Sequence, residues 1–228
     1  TVVTMLIYWA ISALFFRQDA AETMAGAASS SYYNSVNIGL PIATYVLGDA
    51  TFVVPALVLQ MAVLSPIVIA GLDRSSSGVA KSVLSGLTAP VVVAAFAGFA
   101  VSAASWTVPE PVLAPLEILG GASIPLILMS FGASLTGEKV LTSHRGPTLT
   151  ATALKLVGMP AVAWVVATLL GLDGQEMYAA LILCALPTAQ NVYNYAATYR
   201  SGEVICRDTV FLTTFLALPA MLLIAGVF

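Results

Sequence analysis

The sequence predicts an all-α fold, a polytopic bundle of membrane-spanning helices. Three observations predict it. The 228 residues are 59% hydrophobic and only 8% charged, whereas soluble domains carry roughly 25% charged residues. Apolar runs of near-membrane length recur along the whole chain, unlike the single short run of a signal peptide. Basic residues collect in alternate loops, as positive-inside sorting requires.

Apolar runs between polar breaks define eight segments, at about 1–16, 24–47, 51–71, 86–106, 112–135, 148–170, 176–199 and 205–228. Most reach the ~20 residues that cross a hydrocarbon core of about 30 Å. The first opens at Thr1 and is shorter, as if the chain entered partway through a helix. The loops at 17–23, 72–85, 136–147 and 200–204 hold Arg17, Arg74, Lys81, Lys139, Arg145 and Arg200, with Arg207 just inside the last helix. The opposite loops, 48–50, 107–111 and 171–175, carry Asp49, Glu110 and Asp173 and no basic residue. The basic side is therefore expected to be cytoplasmic, with both termini outside. Trp106, Tyr45 and Tyr178 fall near the outer boundary, where interfacial aromatics gather. The loops 72–85, with a turn at Ser75 to Ser77, and 136–147 are too short to fold alone.

Two segments are interrupted. The second carries NSVNIGLP at 34–41 and the seventh PTAQNVYN at 187–194, each about ten residues in. Proline removes a backbone donor and crowds the preceding turn, and glycine loosens it, so both helices are expected to open near mid-membrane. Irregular backbone at that depth must be buried in protein or line a polar cavity. The two segments run in opposite directions, so helices one to three match six to eight with inverted orientation. SPIVIAG at 65–71 and LPAMLLIAG at 218–226 add a weak shared signature. Inverted repeats with broken helices at their interface are a plan of secondary transporters. Each half-helix start offers free N–H groups and about +0.5 charge, which suits an anion.

NSVNIGLP resembles a motif of the auxin efflux carrier family, which includes plant PIN-formed auxin exporters and bacterial permeases. CALPTAQNVYNYAATY at 184–199 resembles the family's second crossover in its bacterial branch, and LKLVGMPAVAWVVATLLGL resembles its eighth helix. The resemblance implies ten helices in two inverted five-helix repeats, of which these eight are the third to tenth. About 20 residues per span plus loops gives an expectation of roughly 60–80 further residues. The chain 1–228 is then one transmembrane transporter domain: 1–71 the remainder of the first repeat, 72–85 a cytoplasmic loop, 86–228 the second repeat. It further implies an elevator-like shift of a crossover-bearing domain against a scaffold, in the plasma (inner) membrane of a bacterium.

By position, Asn34 and Pro41 match the family's first crossover, and Pro187 and Asn191 its second. Asn37, Gly39, Gln190, Tyr193 and Asn194 join them by proximity as candidate substrate contacts. PIN-formed proteins carry a further proline where Asn194 and its neighbours stand here, which argues against an indole pocket. Lys155, about seven residues into the sixth helix, either snorkels to the cytoplasmic face, draws anions inward or pairs with Asp208.

The expected substrate is a small organic anion, a carboxylate such as malate, malonate or an auxin-like acid. The broken helices hold no Asp or Glu at depth; Glu117 and Asp208 lie near helix ends. That favours potential-driven efflux, with cation-coupled uptake as the alternative. A channel or structural subunit is a further alternative, though charged rings and pore repeats are missing from the sequence. An enzyme is not expected: His144, the single histidine, lies in a loop, and no aspartate pair occupies helix interiors. Cys184 and Cys206 lack metal-ligand spacing and read as packing residues. No cofactor, metal or nucleic acid is expected. Partners are the organic anion and the lipid bilayer, with a homodimer and a coupling ion (Na⁺ or H⁺) left open.

Overall fold

The computed structural model describes residues 1–73, 79–136 and 139–227. These form helices joined by short turns, without a β-sheet among the described residues. Helix α1 is Val2–Phe15 and α2 is Ala20–Ser29, whose first turn is capped by the Asp19 carboxylate on the Glu22 N–H (2.8 Å). After a non-helical stretch at 30–34 the chain re-enters a helix as α3, the π turn Ser35–Gly39 continued by Leu40–Tyr45. Then come α4 (Ala50–Leu72), α5 (Val79–Thr88), α6 (Pro90–Ala103) and α7 (Glu110–Ser134). The last four are α8 (Arg145–Leu169), α9 (Gly174–Ala185), α10 (Gln190–Tyr199) and α11 (Glu203–Ala225).

Among the described helices α4, α8 and α11 are long and apolar enough to cross a membrane unaided. Both expected interruptions are present, splitting the second segment into α2 and α3 and the seventh into α9 and α10. One expectation is corrected. The predicted single helix at 86–106 is two helices that part at Ala89, where ψ is 134°. Pro90 bars the helical conformation from the residue before it. Part of the expected loop at 72–85 is helical from Val79, while Arg74 and Ser75 to Ser77 lie outside the described residues.

Three π turns, Ser35–Gly39, Gln60–Leu64 and Leu154–Gly158, share a cause. Each ends two residues before a proline: Pro41, Pro66 and Pro160. A proline ring collides with the carbonyl four residues back, and one inserted residue relieves the collision without ending the helix.

Two apolar cores flank the chain breaks. One gathers Tyr8, Tyr32, Leu72, Val192, Tyr195 and Cys206; the other gathers Tyr33, Ala43, Val53, Met159, Ile182 and Leu186. Consecutive residues Tyr32 and Tyr33 thus serve opposite cores, as extended backbone dictates. Leu14, Phe15, Leu169, Phe215 and Leu223 are exposed, which suits a surface solvated by lipid tails.

Helices α1 and α2 meet at small residues. Tyr8 is fully buried, and a Cβ at Gly26 would overlap its ring. Gly26→Ala is expected to destabilise the fold by ~1–3 kcal/mol, the usual range for overpacking. Thermal unfolding of the detergent-purified protein checks this, and an unchanged midpoint would show that α1 can slide away from α2.

Candidate functional site

The two interruptions meet. Tyr33 and Thr188 form an antiparallel bridge, the Asn34 N–H donating to the Pro187 carbonyl (2.9 Å) and the Ala189 N–H to the Tyr32 carbonyl (3.3 Å). Each opened helix therefore satisfies main-chain groups of the other, where water is excluded and an unpaired group costs several kcal/mol. Side chains hold the crossing from outside. The Thr188 hydroxyl donates to the Ser29 carbonyl (2.7 Å), and the Thr188 N–H donates to Thr213 Oγ1 on α11 (3.0 Å). Gln60, 2% exposed on α4, donates from Nε2 to the Tyr33 carbonyl (3.1 Å) and accepts from the Ser35 hydroxyl (2.6 Å). The Tyr32 and Ser65 hydroxyls both donate to the Gln60 carbonyl (3.1 and 2.9 Å).

A small pocket lies beside the crossing, walled by Tyr32, Tyr33, Asn34, Ser35, Val36, Asn37, Gln60, Met61, Ala189, Gln190 and Asn191. Its volume, about 20 Å³, holds roughly one water molecule. Two helix starts line it and differ in how they are closed. Asn34 Oδ1 accepts from the Asn37 N–H (3.1 Å) and caps α3 from within. No side chain caps α10, whose N-cap residue is Ala189. Gln190, in the first turn of α10, is 9% exposed and its Oε1 has no hydrogen-bond partner. A buried amide without a partner is unusual enough to need an explanation.

Of the candidate contacts, Asn34, Asn37, Gln190 and Asn191 line this pocket. Pro187 serves the crossing through its carbonyl. Gly39 packs instead: a Cβ there would lie 3.0 Å from Leu186 Cδ1 and 3.2 Å from the Asn34 carbonyl oxygen. Pro41 is exposed in the first turn of Leu40–Tyr45, away from the pocket walls. Tyr193 and Asn194 face a different cavity, of about 350 Å³, with Thr198 of α10 and Leu126 and Ser130 of α7. Larger cavities lined by Leu57, Phe96 and Phe99, or by Val2, Met159 and Val166, are apolar and offer an anion little.

Lys155 departs from the snorkelling and ion-pair expectations. It is fully buried at the π turn of α8; its Nζ donates to the Cys184 carbonyl (2.7 Å), contacts Met159 Sδ (3.4 Å) and lies 5.7 Å from the Tyr33 ring centroid. The expected pairing with Asp208 does not form. That carboxylate accepts from Arg207 Nε (2.9 Å) and from the Leu141 N–H (2.8 Å). Glu117 and His144 are exposed, and both cysteines are free, Cys206 accepting from the Ser29 hydroxyl (3.4 Å).

The sequence reading missed Gln60, Ser35, Thr188 and Thr213. Gln60 was findable, as a lone amide in the apolar run FVVPALVLQMAVL, because an intramembrane polar side chain seeks a defined partner.

The model of the family described as membrane transport protein matches residues 73–225. The chain belongs to the membrane transport protein family. That places it among transporters and not enzymes, in agreement with the auxin efflux carrier resemblance. It is 25% identical over 233 residues to a Rhizobium meliloti protein named "Putative malonate transporter", covering 97% of this chain and 72% of that one. It is 27% identical over 107 residues to an uncharacterized transporter of Methanocaldococcus jannaschii, covering 47% of this chain and 34% of that one. This transporter is an integral membrane protein, built as an all-α bundle with two crossing broken helices.

Gln60→Leu should expose the importance of the bracing from α4. It strips a donor from the Tyr33 carbonyl and an acceptor from Ser35, at an expected ~1–3 kcal/mol for buried groups left unpaired. A lowered thermal midpoint in detergent is the expected result, and an unchanged one would mean that the crossing holds without α4.

Proposed function

We propose that this transporter carries a small carboxylate, with malonate the first candidate, by alternating access at the crossing of α2/α3 and α9/α10. The observation that carries the reading is the pocket at Gln190. A helix start without a side-chain cap and a buried amide oxygen without a partner line one cavity, together with a second helix start and three asparagines, Asn34, Asn37 and Asn191. Helix N-termini bind anions through oriented N–H groups and the local positive pole. The amide of Gln190 can turn its NH₂ to a carboxylate, since either orientation fits an otherwise unpaired group. The name of the Rhizobium relative supports a dicarboxylate.

A pocket with room for about one water supports a carrier over an open pore, because a solute enters only when its walls part. The walls include no Asp or Glu, which supports transport driven by membrane potential over proton coupling through an intramembrane carboxylate. The distribution of basic loops supports a cytoplasmic face at the ends of α1, α4, α7 and α10, with both termini outside. A negative cytoplasm then drives each anionic charge outward with about 2.3 kcal/mol per 100 mV.

The test is flux in liposomes. Labelled malonate efflux is expected to saturate with concentration and to accelerate when a potassium diffusion potential makes the interior negative. Gln190→Leu removes no hydrogen bond, so it should leave thermal stability intact while lowering flux at least tenfold. Flux that never saturates would favour a channel. Saturable flux untouched by Gln190→Leu would move the site elsewhere.

A further inference from the structure

Four helix ends converge on the crossing: the starts of α3 and α10 and the finishes of α2 and α9. Each start carries roughly +0.5 charge and each finish roughly −0.5, so together they sum to about zero. Dipoles alone therefore orient a ligand there without giving the site a net preference for negative charge. Something must silence one of the negative poles.

The two finishes are closed by different chemistry. At α2 the Ser29 carbonyl receives a neutral group, the Thr188 hydroxyl (2.7 Å). At α9 the Cys184 carbonyl receives an ammonium, Lys155 Nζ (2.7 Å). Lys155 is fully buried, and its remaining neighbours are the Met159 sulfur and the Tyr33 ring. No described carboxylate pairs with it, so its charge is spent on the helix end. Tyr33 links the two places: its ring centroid lies 5.7 Å from Lys155 Nζ, and the same residue is a wall of the ligand pocket. The π turn before Pro160 is the segment that carries Lys155.

We propose that Lys155 is a positioning residue for charge selectivity: it neutralises the carbonyl end of α9 and leaves the crossing with a net positive field. It acts through that helix end and through space, without touching the substrate. The inference rests on the carboxylate reading above. It also separates the two substrate charges, since a fixed positive charge favours a dianion over a monoanion of equal size.

The experiment compares malonate with its monomethyl ester at about pH 6.5, where malonate is still largely a dianion and a lysine ammonium is favoured, in binding to the purified protein by calorimetry. Charges several ångströms apart at an effective dielectric near 20 interact by on the order of tenfold in affinity per substrate charge. Lys155→Met is expected to weaken the monoester ~10-fold and malonate ~100-fold, and so to erase a ~10-fold preference for the dianion. A purely structural lesion would weaken both equally, and that result overturns the inference. Lys155→Arg keeps the charge and is expected to keep the preference; it decides the matter if Lys155→Met does not fold, and loss of the preference in a folded Lys155→Arg overturns the inference. A parent protein that binds neither acid overturns the carboxylate reading and this inference with it. A parent that binds both, with equal losses in Lys155→Met, overturns this inference alone.

Discussion

The main-chain pairing between residues 32–34 and 187–189 is the constraint on which the rest of this structure depends. Opening a helix inside a membrane strands donors and acceptors that water cannot reach. Opening one helix alone would cost several kcal/mol for each unpaired group. Opening two that run in opposite directions lets each chain present its loose groups to the other, and the Tyr33–Thr188 bridge is the result. Polar cavity and structural solution are then one feature. The breaks exist as a pair, and the space they enclose is walled by helix ends.

Around that pairing the protein supplies side chains from intact helices. Gln60 reaches in from α4, Thr213 from α11 and Lys155 from α8, each to a backbone group at the crossing or at the end of a half-helix. Two of the three, Gln60 and Lys155, stand on π turns that precede a proline. The proline thus has a local cause and a distant effect: it widens its own helix and so fixes which side chain faces the break. These bonds tie α2, α3, α4, α8, α9, α10 and α11 into one braced unit, the body that an alternating-access motion on the proposed reading would move whole.

The parts that sequence made legible were those written in residue chemistry along one segment. Asn34, Gly39 and Pro41, and on the other side Pro187, announce broken helices because glycine and proline act on their own backbone. The break at Ala89 obeys the same rule, yet a Pro90 flanked by apolar residues reads in sequence as part of one span. Pairing was harder. Nothing in the composition of residues 30–34 says that their partner is 186–189, since the hydrogen bonds are between main-chain atoms that every residue owns. Lys155 failed for a related reason. A lysine seven residues into a helix is ordinarily long enough to reach water, and only the position of the α9 carbonyl end shows that it turns inward. Tyr193 and Asn194 share a side of α10 with Gln190, three and four residues on, yet they stand one turn farther along the helix, beside the cavity shared with Leu126 and Ser130 of α7.

The two helix starts at the pocket differ in what they leave open to the proposed ligand. The start of α3 is complete: Asn34 closes it, and the π turn draws the Gly39 N–H back to the Asn34 carbonyl (2.8 Å). The start of α10 is incomplete, since alanine at its cap position offers no acceptor. A side chain such as Ser or Asp in place of Ala189 would close it and satisfy the orphan donors permanently. Such a cap would stabilise the fold and compete with any anion for the same N–H groups. A binding site at a helix end therefore requires that the protein forgo its own cap there, and on the proposed reading the alanine before Gln190 is the residue type this trade demands.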